Sequence, residues 1–486
     1  MQCVFLYLVF LGILSLPHAG ASGGLGALAV LIVGAFFVNL ITVGWIVEAS
    51  GRAESIISSQ FGQPREMAVG SVNDPLLRPS GGRGATDPDE GKLGAIHPRR
   101  QFEVTHLLSL FGGSTASRVY ALAAGLFMGG ALWLFAAVFG SSVAAFVPAP
   151  YRMACDVDDP PEAHKCTEVR LGTLAGFAAL NCFLALRGIA GVAKLQAGLT
   201  VFMLILLVVM GTTATVQAAS RPWHSLYTDP EILGVRPAGF AELFPTIVFA
   251  FMCQQGAPAF IHVMHSPRSW PRIFGAALAC LVTLYLWLST ALVLLFGRGI
   301  LDPITLEWNM YPWTGTQNSA DKVLGLIVNA FPVISTAAAF PIYAISLADT
   351  WLPLMPRAIK KSRVGSIVLR LACVLVPVAL AAAMSDVSKI IVWPGLFGFV
   401  LAFAAPAFLQ LRSMSLADEV LGSHETPYTM RFGCSSRLAA WAVLAGSVVG
   451  MAYCLFVNVD NLVNPTPDPT PAPPHHHNLT LAPLLW

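Results

Sequence analysis

Apolar residues in this chain come in long runs separated by polar stretches. Crossing about 30 Å of hydrocarbon takes about 17–25 such residues in a helix. Eleven runs qualify, over approximately 3–19, 25–48, 118–147, 171–187, 195–219, 241–262, 273–296, 322–349, 364–384, 388–411 and 437–459. Gly and Pro recur inside several of them, as they do in membrane helices packed against neighbours. The pattern predicts an all-α polytopic membrane protein. Its first run has two readings. Cys3–Leu16 has the length of a signal-peptide core, and Ala19-Gly20-Ala21 has the small residues of a cleavage site. Alternatively the run is retained and Gly12–Pro17 interrupts its helix. No Lys or Arg precedes Arg52, so the basic start of a signal peptide is missing and retention is the expectation.

Composition agrees with the bilayer as solvent. Of 486 residues 56% are hydrophobic and 11% charged, against about 25% charged in ordinary soluble domains. The net charge of +2 points to no partner, and no basic patch interleaved with aromatics suggests nucleic acid. The expected organisation is a transmembrane domain over 1–460 and a Pro-rich tail over 461–486. Within the domain, residues 49–102 are rich in Gly, Pro, Ser, Arg and Asp and are expected to form a disordered cytoplasmic loop. FEVTHLLSLFGG at 102–113 returns to apolar periodicity, predicting a short interfacial helix capped near Thr105. Three adjacent His residues in the tail read as solvated low complexity, not as a metal site.

Charge sets the orientation. With a cytoplasmic start and alternating spans, 20 of the 28 Lys and Arg fall on the cytoplasmic side, as the positive-inside rule requires. An odd number of spans then puts the C-terminus outside or in a lumen, which fits the endomembrane system, a lysosome or the plasma membrane. On that side lie Cys155 and Cys166, expected to form a disulfide, and the sequon at Asn478, expected to carry glycan.

Polar residues at membrane depth mark candidate sites. The sixth run reads ELFPTIVFAFMCQQGAPAFIHVMH, in which Cys253, Gln254 and Gln255 precede Gly256 and Pro258. Gly weakens a helix, and Pro removes a ladder bond and clashes with the preceding turn. Gly12-Ile13-Leu14-Ser15-Leu16-Pro17 echoes this pattern five spans earlier. Matching interruptions in two halves of a transporter point to a midplane binding site. Spans 1–5 and 6–10 would then be inverted repeats, with span 11 an addition. Glu48, His18, Glu242 and His262 are the ionisable groups nearest such a site. All sit at helix ends, where side chains commonly snorkel, and none is assigned as a proton carrier.

GILSLPHA in the first run and FAFMCQQGAPAF in the sixth resemble the amino acid/auxin permease family of the amino acid–polyamine–organocation superfamily, and within it the transmembrane protein 104 branch. WIVEAS at 45–50, FEVTH at 102–106 and FPVISTAAAFPIYAISLADTW at 331–351 support the match. The resemblance implies a leucine-transporter-type fold of about eleven helices, a 5+5 inverted repeat plus one. It also implies proton- or sodium-driven amino acid transport with no other cofactor. Its substrate site would comprise Gly12, Leu14 and Ser15 with Cys253, Gln254, Gln255 and Gly256, and an ion would meet Ser335 and Thr336. One departure is Phe10, where the family usually places glycine.

The expected function is therefore secondary active transport of an amino acid across a lipid bilayer. The alternative is a non-transporting sensor or receptor on the same fold, signalling through the loop at 49–102, with Phe10 blocking the pathway. No metal-spaced set, phosphate-cradling loop or activated nucleophile suggests an enzyme. Oligomeric state is not indicated.

Overall fold

The computed structural model describes residues 12–61, 102–144, 163–187, 192–221, 226, 230–264, 269–310, 319–384, 386–423, 430 and 432–464. Among them there are helices and no strand. Leaving aside helical turns of five residues or fewer, in chain order they are α1 (Gly12–Gly23), α2 (Leu25–Phe61), α3 (Val104–Ala144), α4 (Ala163–Arg187), α5 (Val192–Ser220), α6a (Phe240–Ala250), α6b (Ala257–Val263), α7 (Trp270–Phe296), α8 (Ser319–Trp351), α9 (Arg363–Ala383), α10a (Val387–Phe399), α10b (Ala405–Leu421) and α11 (Arg437–Val463). Ten of the expected spans are long and apolar enough to cross a membrane, and α1 is described only from Gly12. The chain is an integral multi-pass membrane protein.

The helices sort into two groups. α1, α2, α6a and α7 pack on one another, as do α3, α4, α8 and α9. Each group takes equivalent members from each set of five, which is the division a 5+5 repeat predicts. Five is odd, so alternating spans would start the second set on the opposite side of the membrane, inverted. α5 lies along α7 and α8. α10a bridges the groups through α3 and α6a, and α10b packs on α2 and α11. Small residues permit the closest crossings: a methyl at Gly395 would stand 2.5 Å from the Pro245 carbonyl, and one at Gly130 would stand 2.9 Å from the Pro394 ring. Apolar side chains left exposed, such as Val30 on α2 and Leu438 and Phe456 on α11, form the surface that meets lipid.

Several expectations need correction. α1 is helical from Gly12 to Gly23 with Pro17 inside it, so the interruption expected over Gly12–Pro17 is not found. One lost ladder bond is tolerated in a membrane helix held by neighbours. The helix stops instead at Gly24, whose φ of +89° turns the chain into α2 against the Gly234 carbonyl. α2 continues to Phe61, well into the stretch expected as loop. Its extension buries Ala53 and Ile56, and Ser50 and Ser55 bond back to carbonyls one turn earlier. Residues 62–101, Cys155, the Cys166 side chain and Asn478 lie outside the described residues. The short helix expected near 102–113 is present from Val104, set off from the third span by Gly113 at φ +78°. Its first amide bonds go to the Glu103 carbonyl, not to Thr105. Span ten carries a π-helical turn over Val400–Ala404 that the sequence reading did not foresee.

Candidate functional site

The sixth span breaks where its sequence says it should. α6a ends at Ala250, Cys253 sits at φ −135°, ψ −7°, and a short 3₁₀ turn over Gln254–Gly256 leads into α6b. A broken helix in a membrane must rehouse its backbone groups, and here Gln254 does much of that. Its Oε1 accepts from the Cys253 amide at 2.9 Å. Its Nε2 donates to Asn39 Oδ1 at 2.5 Å and to Thr42 Oγ1 at 3.1 Å, both on α2. All three side chains are fully buried or nearly so. From the other side, the Tyr285 hydroxyl of α7 donates to the Ala250 carbonyl at 3.5 Å. The π-turn of span ten packs against the 3₁₀ turn. Such turns often mark functional sites.

Gln255 differs from its neighbour. It is part-buried, and its Nε2 is buried with no hydrogen-bond partner among the described residues. An amide donor left unpaired in a dry environment costs about 1–3 kcal/mol, so this group is poised to take an acceptor. Cys253 is buried beside it. Gly256 has φ −83°, a conformation open to any residue, so its lack of a side chain is not demanded by the backbone.

The candidate residues of α1 divide. A methyl on Gly12 would stand 2.1 Å from the Ala250 Cβ, so Gly12 lets α1 cross span six beside its break. Leu14 is buried in the apolar core. Ser15 points elsewhere: its hydroxyl donates to Asp302 Oδ1 at 2.9 Å, in the connection after α7. One turn on, His18 Nδ1 lies 2.8 Å from the Ile300 carbonyl and Nε2 lies 3.6 Å from Glu242 Oε1. Burial pushes the Asp302 carboxyl up to about 7, against the opposing pull of His18 and of the Ser15 bond. Burial likewise pushes nearby Glu307 up to about 7, although the Leu301 amide bonds to it. For Asp386, burial is outweighed by bonds from Ser388 and Lys389, and its carboxyl lies below the usual range.

Ser335 and Thr336 are buried on α8, in the other four-helix group. Their hydroxyls donate to the Pro332 carbonyl at 3.2 and 2.6 Å, the local bonding common for Ser and Thr in membrane helices. None of the described hydrogen bonds joins them to α1 or to the sixth-span break. Glu48, towards the far end of α2, is fully engaged. Its carboxylate accepts from Arg52 at 3.1 Å, Gln410 at 2.9 Å, the Phe432 amide at 2.7 Å and the Ser435 hydroxyl, while Arg52 also donates to Gln410 and Ser413. This satisfied network knits α2, α10b and the approach to α11.

Sequence reasoning missed Asn39, Thr42, Tyr285 and Asp302. The first two were legible as lone polar residues three apart on one face of an apolar helix. Tyr285 and Asp302 give no local signal, because only the packing of α7 and the loop after it brings them to the site.

A family model described as transmembrane amino acid transporter protein matches residues 170–450. Transmembrane protein 104 of Gallus gallus is 22% identical over 461 residues, covering 88% of this chain and 90% of that protein. The protein of the same name from Pongo abelii is 23% identical over 463 residues, with the same shares covered. A homolog from Drosophila melanogaster is 24% identical over 228 residues, covering 45% of this chain and 43% of its own.

Proposed function

The chain belongs to the transmembrane amino acid transporter family, whose model spans more than half of it, and from that premise we propose that it is a secondary active carrier of an amino acid. The substrate sits at the sixth-span break. The observation that carries this reading is Gln255, an amide whose buried donor has no partner among the described residues, at the unwound segment of the sixth span. A substrate carboxylate would satisfy that donor, and backbone groups released by the break would meet its amine. Gly12 brings α1 against the end of α6a, so movement of either helix reshapes the break. Gln254 serves as the clamp that holds the unwound segment to α2.

Uptake of labelled neutral amino acids into proteoliposomes, at two pH values, tests the proposal. Saturable uptake that a Gln255→Leu variant loses supports it. Saturable binding without uptake would replace it with the sensor reading, and neither binding nor uptake across the panel would remove amino acids as the substrate class.

A further inference from the structure

Three acid–base groups, His18, Glu242 and Asp302, meet at one end of α1, and the substrate reading uses none of them. His18 Nδ1 lies 2.8 Å from the Ile300 carbonyl. A carbonyl oxygen only accepts, so Nδ1 carries a hydrogen and Nε2 is the nitrogen that gains or loses a proton. Nε2 faces the Glu242 carboxylate at 3.6 Å. One turn earlier, Ser15 donates to Asp302 Oδ1, and Oδ2 is buried without a partner among the described residues. An imidazole nitrogen and a carboxylate oxygen, each free to accept a proton, are thus fixed on and against one helix.

We propose that His18 Nε2, facing Glu242 and with Asp302 beside it, binds the coupling ion, which is therefore H⁺ and not Na⁺. This rests on the carrier reading and deepens it. Proton gain at Nε2 would turn a loose 3.6 Å contact into a charge-assisted bond of about 2.7–2.9 Å, drawing α1 onto α6a. Those same helices cross at Gly12 and Ala250, about 9 Å further down α1 at 1.5 Å per residue. Proton occupancy at the mouth is in this way tied mechanically to the break below.

The surrounding charges leave this role to His18. At the N-cap of α10a, Asp386 is engaged by Lys389 at 3.0 Å. At the end of α7, Arg298 pairs with Glu231 at 2.6 Å. Glu307 accepts from the Leu301 amide, and Arg236 on the connection into α6a bonds through its backbone to Gly23. Sodium would need several oxygen ligands converging on one point. Imidazole needs only one basic atom and titrates near neutral pH.

Two measurements on the full chain test the proposal. In nitrogen-15 NMR of histidine-labelled protein, the signal that His18→Gln removes should show an Nδ1–H tautomer at high pH and gain a second proton on acidification. Glu242→Gln should lower that midpoint. An Nε2–H tautomer, or no titration between about pH 4 and 9 around the imidazole value, would overturn the proposal whatever the protein transports. In proteoliposomes, an imposed pH gradient without sodium should drive accumulation of labelled amino acid. His18→Gln should cut the ratio of that accumulation to substrate counterflow at least tenfold. Accumulation that needs sodium, or an unchanged ratio in the variant, would also overturn it. A titrating His18 in a protein without counterflow would count against the carrier reading while leaving the proton site in place.

Discussion

Adjacent glutamines with the same side chain stand in opposite situations here. Gln254 touches three partners within the protein, whereas the Gln255 donor has none among the described residues. Replacing Gln254 by Leu should therefore act on stability. It strands Asn39 and the Cys253 amide, at about 1–3 kcal/mol for each group left unpaired, and should lower the thermal denaturation midpoint in detergent. Replacing Gln255 by Leu should spare that midpoint and weaken substrate affinity by roughly 5- to 150-fold, the equivalent of the same 1–3 kcal/mol, read by a binding titration. If both variants lose stability alike, Gln255 is structural too. The sequence marks both residues as suspicious because polar amides are rare at membrane depth. It cannot tell them apart, since the distinction is made by Asn39 and Thr42, more than two hundred positions away.

Among elements, the two expected interruptions part company. Both contain Gly and Pro, yet span six unwinds and α1 stays helical from Gly12 onward. Unwinding follows where side chains and neighbours rehouse the freed groups, as Gln254 and Tyr285 do, and the sequence of α1 offers no such amide. Gly12 is instead a packing residue. Gly12→Val should overpack the crossing with Ala250 and cost about 1–3 kcal/mol, visible as a lowered denaturation midpoint. The connection after α7 adds a pH signature. Its Asp302 carboxyl rises from an ordinary 3.8 to about 7 in the fold, so the folded protein holds this proton more tightly than the unfolded chain. Its contribution to stability is complete below 3.8 and is lost as pH rises towards 7. Asp302→Asn should flatten the fall of the denaturation midpoint across that interval, and an unaltered slope would show that Asp302 does not titrate there.

For the whole molecule, length and apolar runs made the membrane architecture readable, because hydrocarbon thickness imposes its period on any helix that crosses it. The contacts sort the connections into two ends, as alternating spans require, without saying which end faces the cytoplasm. Residues 22–26, 230–242 and 298–302, all assigned to the non-cytoplasmic side, are bonded together, and residues 45–52, 410–413 and 432–435 are bonded at the other end. A tag at the C-terminus should accordingly be reached by antibody from the non-cytoplasmic face of sealed membranes, and access only from the cytosol would contradict the topology. At the end that holds Glu48, Glu48→Ala should cost roughly 3–5 kcal/mol, because it leaves Arg52 charged and buried. The π-turn in span ten gives this network an unexpected tolerance. It holds one residue more than an α-helical turn would, and Gln410 and Ser413 lie beyond it. Deleting a single codon within 400–404 would remove that extra residue and heal the turn into ordinary helix, leaving Gln410 and Ser413 in register with Arg52. The same deletion in the middle of α9, which is α-helical throughout, would rotate the rest of that helix by about 100°. A deletion scan scored by surface expression should therefore find 400–404 the more tolerant of the two, and equal sensitivity would show that the turn does not absorb the loss.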